Sequence, residues 1–423
     1  MKTLQTSHGA DSPYAWTRLW VALALVTIGG AGMYSMAVVL PPLQEEFGIA
    51  RADASLPFTF TMIGFGLGSV LMGRLSDRFG VIVPVLVGSV SLALGFITAG
   101  FSQNLLQFTA VHGLLIGVGT SGTFVPLVAD ITLWFTRRRG IAVAIVMSGN
   151  YLAGTVWPPL MQHFIDTAGW RATYMGTGLI CLFAMPLFAL ALRRKPPAIA
   201  GPAPAGARGV SSNPERPLGF SPNQLQGLLC VSGIACCVAM SMPQVHMVAY
   251  CADLGFPAAR GAEMLALMMG FGIVSRLASG WIADRIGGLR TLLLGAMLQA
   301  IALALFLPFD GLAALYVVSA LFGFFQGGIV PSYPLIVREH FSPREAGART
   351  GTVIMATLAG MALGGWMPGW IFDMTGSYRA AFVNGIAWSL VTTGIALFLL
   401  FRARPGWGLP ATPGARAQSR HPS

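Results

Sequence analysis

One arginine lies inside the apolar part of the sequence. Arg276 belongs to the run at residues 264–282, and it is the only Asp, Glu, Lys or Arg within the apolar runs apart from Arg290, the second residue of the run at 289–307. A charged side chain at the bilayer centre costs about 2.5–3.5 kcal/mol on insertion scales, so another interaction must offset it. A guanidinium is permanently charged, and its fork matches a carboxylate. We therefore expect Arg276 to bind an anion; the alternative is an arginine that extends toward the helix end or bonds backbone carbonyls.

Other polar side chains inside the apolar runs could contact the same ligand. His246 and Gln244 lie near one end of the seventh run, where Pro243 predicts a kink that a gate could use. A histidine can carry a proton near neutral pH, and helix packing explains this one equally well. Asn150 and Tyr151 lie in the fifth run among small residues that allow close helix packing. Asn150 is a candidate to face the ligand.

The sequence contains no recognisable set of catalytic residues. It contains no pair of catalytic carboxylates, no nucleophile beside a base, and no phosphate-binding loop that ends in Lys-Ser or Lys-Thr. The five cysteines form no C-x-x-C pair and have no histidine at metal-ligand spacing. We therefore expect no enzyme, no cofactor and no metal. A gradient or an exchange must supply the energy for any transport.

The elements that position these residues are apolar runs long enough to cross a bilayer. Hydrophobic residues make up 55% of the 423-residue chain and charged residues 10%, whereas a soluble domain carries about 25%. About 20 apolar residues span the hydrocarbon core as a helix. Twelve runs meet that test: residues 21–40, 56–72, 81–101, 106–129, 140–162, 172–192, 227–250, 264–282, 289–307, 312–336, 351–371 and 380–401. The sequence predicts an all-α membrane protein with twelve transmembrane helices in two six-helix bundles.

The polar segments divide the chain and orient it. Residues 193–222 are rich in Pro, Gly, Ala and Arg, which predicts a flexible linker between bundles at 1–192 and 223–402, with a disordered tail at 403–423. Basic residues concentrate in the even-numbered gaps and at both termini, which predicts cytoplasmic termini. The excess of Arg over Lys favours a bacterial inner membrane. The net charge of +11 does not indicate nucleic-acid binding, because these residues form no basic patch.

The two halves of the chain repeat one another. GRLSDRFG (73–80) follows the second run and GWIADRIG (280–287) follows the eighth. The separation between Asp77 and Asp284 equals that between Asp166 and Asp373, which follow the fifth and eleventh runs. A duplicated unit predicts a cavity between the halves that opens alternately to each side. We expect the repeated loops to act as a conformational latch; the alternative is a solvated turn that only fixes topology. The predicted latch comprises Gly73, Asp77, Arg78, Gly80, Gly280, Asp284 and Arg285.

In these loops the sequence resembles the major facilitator superfamily. WFTRRRGIA (134–142), Arg276 and the passage from Gly364-Gly365 to FDMTGSY (372–378) are similar to the branch of monocarboxylate transporters and the oxalate–formate exchanger. The resemblance implies that the first and tenth helices line the cavity, which adds Tyr34 and Gln326 to the candidates. Gly272 stands where monocarboxylate transporters have an Asp, and no run contains the lysine of either relative. These departures weaken the expectation of proton coupling and of a dicarboxylate preference.

The sequence thus predicts a secondary active transporter of a small organic anion, a mono- or dicarboxylate, that works by alternating access as a symporter or exchanger. The alternatives are a proton-coupled exporter of a hydrophobic compound and a non-transporting membrane sensor. Protons are a candidate coupling ion, the bilayer is the surrounding partner, and we expect a monomer. The predicted substrate-binding residues are Arg276, Tyr34, Asn150, Tyr151, Gln244, His246 and Gln326.

Overall fold

A computed structural model describes residues 11–135, 138–194, 217–342 and 345–403. Within these ranges twelve helices are long and apolar enough to cross a membrane, which confirms the all-α prediction. They are α1 (Pro13–Phe47), α2 (Arg51–Phe79), α3 (Ile82–Gly100), α4 (Leu105–Trp134), α5 (Gly140–Ala168), α6 (Trp170–Leu192), α7 (Pro222–Asp253), α8 (Ala258–Ile286), α9 (Gly288–Leu305), α10 (Leu312–His340), α11 (Ala346–Thr375) and α12 (Tyr378–Arg402). Most of the predicted linker and tail lies outside the described residues.

Local sequence signals set several helix boundaries. At the start of α7, Ser221 and Gln224 form a reciprocal capping box and Pro222 takes the first helical position. Gly80 and Gly287, the last glycines of the repeated loops, end α2 and α8 with φ values of 81° and 84°. A residue with a Cβ rarely adopts that backbone conformation, so glycine is needed for the tight turn into the next helix.

Helices α1–α6 form one bundle and α7–α12 form the other, and equivalent pairs pack inside each. Helix α3 packs on α6 as α9 packs on α12, and α1 packs on α5 as α7 packs on α11. The two bundles meet where α2 packs on α11, α5 packs on α8 and α1 contacts α7. We call the end where α1 begins and α12 finishes the linker end, and the other the opposite end. A side chain on α5 or α8 that points at the other bundle therefore lies between the halves.

Two helices extend beyond their apolar runs and bury an ion pair. Because α1 begins at Pro13 and α4 continues to Trp134, Arg18 and Asp130 lie inside them. Arg18 Nε and Nη2 donate to the two Asp130 oxygens over 2.7 and 2.8 Å, and only 1% and 8% of the side chains are exposed. Arg18 Nη1 also donates to the carbonyl of Leu192 in α6 over 3.0 Å. The expectation that Arg276 is the only charged residue within the spans is therefore wrong, because apolar runs end before their helices do.

Candidate functional site

Arg276 points across the interface between the two bundles. It lies on α8, and its Nη1 donates to the carbonyl of Met147 on α5 over 3.3 Å. Its guanidinium carbon lies 4.4 Å from the centroid of the Tyr151 ring, also on α5. A cation over an aromatic face is attracted by the ring quadrupole. The half-buried guanidinium is therefore directed between the halves rather than toward lipid.

One edge of the Arg276 guanidinium has no partner among the residues that the structure describes. Its Nε is buried, and neither Nε nor Nη2 makes a hydrogen bond to any described residue. Arg18 uses this same Nε–Nη2 edge to hold both oxygens of Asp130. A buried donor without a partner costs about 1–3 kcal/mol, and more for a charged group. The free edge has the geometry that a carboxylate takes in a bidentate pair.

Two glycines provide the space for the tyrosines of the site. A Cβ added to Gly272 would lie 2.5 Å from Cε1 of Tyr151, which is closer than real Cβ contacts come. A Cβ on Gly154 would lie 2.8 Å from Cε1 and Cζ of Tyr34. Tyr34 and Tyr151 are both buried, with 6% of each exposed. A side chain at position 272 would therefore displace the ring that lies against the Arg276 guanidinium.

Two glutamines form a second polar group close to this layer. Gln244 on α7 donates through Nε2 to Oε1 of Gln326 on α10 over 3.1 Å. Nε2 of Gln326 is buried and has no partner among the described residues. A Cβ on the neighbouring Gly327 would lie 2.5 Å from the carbonyl oxygen of Gly272, so this turn of α10 packs on α8 at the level of Tyr151. The structure thus brings an unpaired amide donor to the same level as the unpaired arginine edge.

Asn150 and His246 occupy different surroundings. Asn150 Nδ2 lies 3.6 Å from the sulfur of Met33, the residue before Tyr34. His246 is fully buried, and both of its ring nitrogens are engaged: Nδ1 with the Tyr378 hydroxyl at 2.9 Å and Nε2 with the Gly365 carbonyl at 2.8 Å. It therefore has no free polar atom for a ligand in this conformation.

The predicted latch residues lie at the linker end. Asp77 and Asp284 are exposed, and neither forms an ion pair with another described residue. Arg285 lies with its guanidinium carbon 3.6 Å from the centroid of the Trp281 ring. Arg137 and the side chain of Arg139, in the neighbouring basic loop, lie outside the described residues. The latch stays a prediction, to which the fold adds only the backbone requirement at the last glycine of each loop.

A set of residues at the opposite end was not selected from the sequence. Arg51, at the start of α2, forms an ion pair with Asp253 at the end of α7. Asp373, near the end of α11, accepts hydrogen bonds from the backbone N–H groups of Arg51 and Ala52. In the sequence, Asp373 is distinguished only as the counterpart of Asp166 in the internal repeat. This repeated aspartate is the one feature of the sequence that could have pointed to the set.

Comparison with known proteins agrees with this architecture. Residues 21–313 and 277–420 match the model of the Major Facilitator Superfamily. The chain is 28% identical over 366 residues to monocarboxylate transporter 13 of Rattus norvegicus, covering 84% of this chain and 81% of that protein. It is 27% identical over 423 residues to monocarboxylate transporter 11 of Homo sapiens, covering 96% and 87%. It is 28% identical over 419 residues to the MFS-type transporter opdF of Penicillium oxalicum, covering 94% and 93%.

A solved structure shares the fold. A bacterial homologue of the human lysosomal transporter Spinster, in an inward-facing and occupied conformation, superposes with a TM-score of 0.69. The sequence identity is 14%, and the match covers 93% of this chain and 98% of that one. At this identity the likeness supports the fold alone.

Proposed function

The chain belongs to the major facilitator superfamily, and from this we propose that it transports a small monocarboxylate by alternating access, in exchange for a second anion. It is a multi-pass membrane transporter related to the monocarboxylate transporters. The arginine preference and the basic linker end support a bacterial inner membrane with cytoplasmic termini. The named relatives support the substrate class, and the geometry around Arg276 supports the particular ligand.

The observation that carries the proposal is the unpaired Nε–Nη2 edge of Arg276. The Met147 carbonyl and the Tyr151 ring fix the guanidinium from two other directions. An arginine held in this way has lost most of its rotamer freedom before a ligand arrives, so little entropy remains to be lost on binding. A carboxylate at the free edge would satisfy the buried donor and neutralise the charge.

The charge of the site supports a substrate with one carboxylate. Within the layer formed by Tyr34, Tyr151, Gln244 and Gln326, Arg276 is the only cation among the described residues. The two lysines of the chain, Lys2 and Lys195, lie outside the apolar runs. A second carboxylate of a dianion would enter this layer without a partner, and an unpaired buried charge is costly.

The same charge balance supports exchange over symport with a proton. A guanidinium cannot release its proton in a protein, so the empty site stays positive. Gly272 supplies no carboxylate one turn before Arg276, and the Tyr151 ring fills that space. Closing both ends around the empty charged site is therefore unfavourable, whereas a bound anion removes the penalty. Reorientation is expected to be fast only when an anion is bound.

Counterflow in proteoliposomes tests this proposal. Vesicles are loaded with unlabelled acid, and uptake of labelled lactate, pyruvate, benzoate and succinate is measured separately. We expect uptake of at least one monocarboxylate, no uptake of succinate, and a strong dependence on internal anion. Loss of two charge-assisted hydrogen bonds, at about 1.5–3 kcal/mol each, predicts that Arg276→Gln lowers exchange by at least about 100-fold.

A matched control separates the site from general effects of charge. Arg290 is exposed at the start of α9 and makes no hydrogen bond or ion pair with other residues that the structure describes. Arg290→Gln removes the same charge from the same half and should leave exchange unchanged. Exchange by Arg276→Gln at the unsubstituted rate would refute the role of Arg276. Uptake of succinate alone would refute the assignment of a monocarboxylate.

A further inference from the structure

The two bundles are joined at the opposite end by an ion pair. Arg51 belongs to the first bundle and Asp253 to the second; both nitrogens of the Arg51 fork contact the carboxylate, with Nη2 donating to Oδ1 over 3.1 Å. Gln44 Oε1 accepts from Arg51 Nε over 3.1 Å within the first bundle. The Arg51 side chain is 10% exposed and that of Asp253 is 31% exposed. Because the Arg51 side chain is largely buried, this ion pair is less screened by water than a pair between two exposed side chains.

A second carboxylate from the other bundle caps the helix that carries Arg51. The two oxygens of Asp373 accept from the backbone N–H groups of Arg51 and Ala52 over 2.9 and 2.7 Å. The N-cap residue of α2, Ala50, has no side-chain acceptor. The first N–H groups of a helix need acceptors and favour a negative charge. Helix α2 thus receives its cap from α11, and the bundles cannot separate here without uncapping it.

Aromatic rings and a histidine hold the arginine in place. Its guanidinium carbon lies 4.0 Å from the centroid of the Phe372 ring, and its Nη1 lies 3.3 Å from the Tyr378 hydroxyl. The Gly365 carbonyl can only accept, so Nε2 of His246 carries a proton; in the neutral imidazole Nδ1 then accepts from the Tyr378 hydroxyl. The Tyr378 oxygen is then free to accept from Arg51. His246 and Tyr378 therefore act as positioning residues for Arg51.

The internal repeat does not form the same contact twice. Asp166 is the counterpart of Asp373, but it accepts from Gln162 on its own helix over 2.8 Å and is exposed. The position equivalent to Arg51 is occupied by Ala258, the first residue of α8. At the opposite end, the α5–α8 interface therefore has an alanine where the α2–α11 interface has Arg51. The contact at the opposite end is a property of one interface and not a general consequence of the duplicated fold.

We propose that Arg51, held by Asp253 and Asp373, is the gate residue of the opposite end, and that its release opens the substrate site to that side. The three residues are called the clamp below. Closure of the clamp requires α2, α7 and α11 to come together, which is the movement that rocking of the two halves produces. The proposal depends on transport by alternating access and is independent of the chemical identity of the substrate.

Distance measurement by electron paramagnetic resonance tests the clamp without any substrate. Gln103 and Asp310 are exposed at the opposite end, one in each bundle, and are replaced by cysteine for spin labelling after removal of the native cysteines. Removing one partner of this partly buried pair removes a contact between the bundles, so Arg51→Gln and Asp253→Asn should each move the distance distribution toward a longer, open population. Asp373→Asn should act in the same direction. Asp253→Asn keeps the size and shape of the side chain, so it tests the clamp even if Arg51→Gln fails to fold.

An ion pair inside one bundle provides the matched control. Arg171 and Glu46 pair over 2.5 Å at the same end, but both belong to the first bundle. Arg171→Gln should leave the distance distribution unchanged. Identical distributions for the unsubstituted protein, Asp253→Asn and Asp373→Asn would overturn the proposal. The measurements are then repeated in the Arg276→Gln background. The same shifts are expected there, so an error in the proposed substrate would not affect the test of the clamp.

Discussion

The replacement of Gly272 by alanine tests the site with a single methyl group. The new Cβ would lie 2.5 Å from Cε1 and 2.6 Å from Cδ1 of Tyr151, so the ring must move. The ring now lies against the Arg276 guanidinium. A cation–π contact contributes about 0.5–2 kcal/mol, and each 1.4 kcal/mol is a tenfold change in affinity. We expect Gly272→Ala to weaken binding of a transported monocarboxylate by roughly 2- to 30-fold.

Gly270 provides the control on the same helix. A Cβ at Gly270 would approach only Thr155, at 3.8 Å, which is ordinary van der Waals contact. Both substitutions improve helix propensity by about 1 kcal/mol, so a difference between them reports the contact with Tyr151. Affinity is measured by equilibrium binding of the labelled acid to purified protein, with thermal unfolding as the check on folding. Equal affinities for Gly272→Ala and Gly270→Ala would refute the steric explanation.

Three further predictions concern stability, the clamp and the amide pair. Asp130→Asn leaves Arg18 buried without its counter-ion and should cost about 3–5 kcal/mol of stability in thermal unfolding. Glu345→Gln, at a pair whose carboxylate is 55% exposed, should cost about 1 kcal/mol or less; equal losses would contradict this. A Cβ on Gly369 would lie 2.9 Å from the backbone oxygen at the start of α2, so Gly369→Ala should lengthen the spin-label distance at the opposite end, and an unchanged distance would count against close packing there. Gln326→Leu removes one unpaired donor and should weaken substrate binding by roughly 2- to 10-fold, the range expected for one neutral hydrogen bond; unchanged affinity would exclude Gln326 from the site.

The spans could be predicted from sequence because each requires a long apolar run. Their ends could not, since the apolar signal stops before the helix does. Arg18 and Asp130 fell outside the predicted spans for this reason, although both lie inside helices and pair with one another. A buried, fully satisfied pair of this kind is compatible with a membrane helix but invisible to a measure of hydropathy.

The candidate site could be predicted in part. Arg276 can be predicted because a charged residue in an apolar run is costly, and Tyr151 belongs to the predicted substrate-binding set. The reason for Gly272 could not be found in the local sequence, because the ring that fills its space belongs to another helix. The clamp depends on contacts between residues 202 and 322 positions apart. A single sequence contains no signal that pairs such positions, apart from the repeated aspartate.

The central claim is that the free edge of Arg276 binds the carboxylate of the substrate. The most direct measurement is an experimental structure of the protein with a transported monocarboxylate, one carrying bromine so that its position is unambiguous. We expect one carboxylate oxygen at each of Nε and Nη2, at about 2.7–2.9 Å, with the Tyr151 ring still beneath the guanidinium. An anion bound elsewhere, with this edge bonded to a backbone carbonyl or left empty, would contradict the claim.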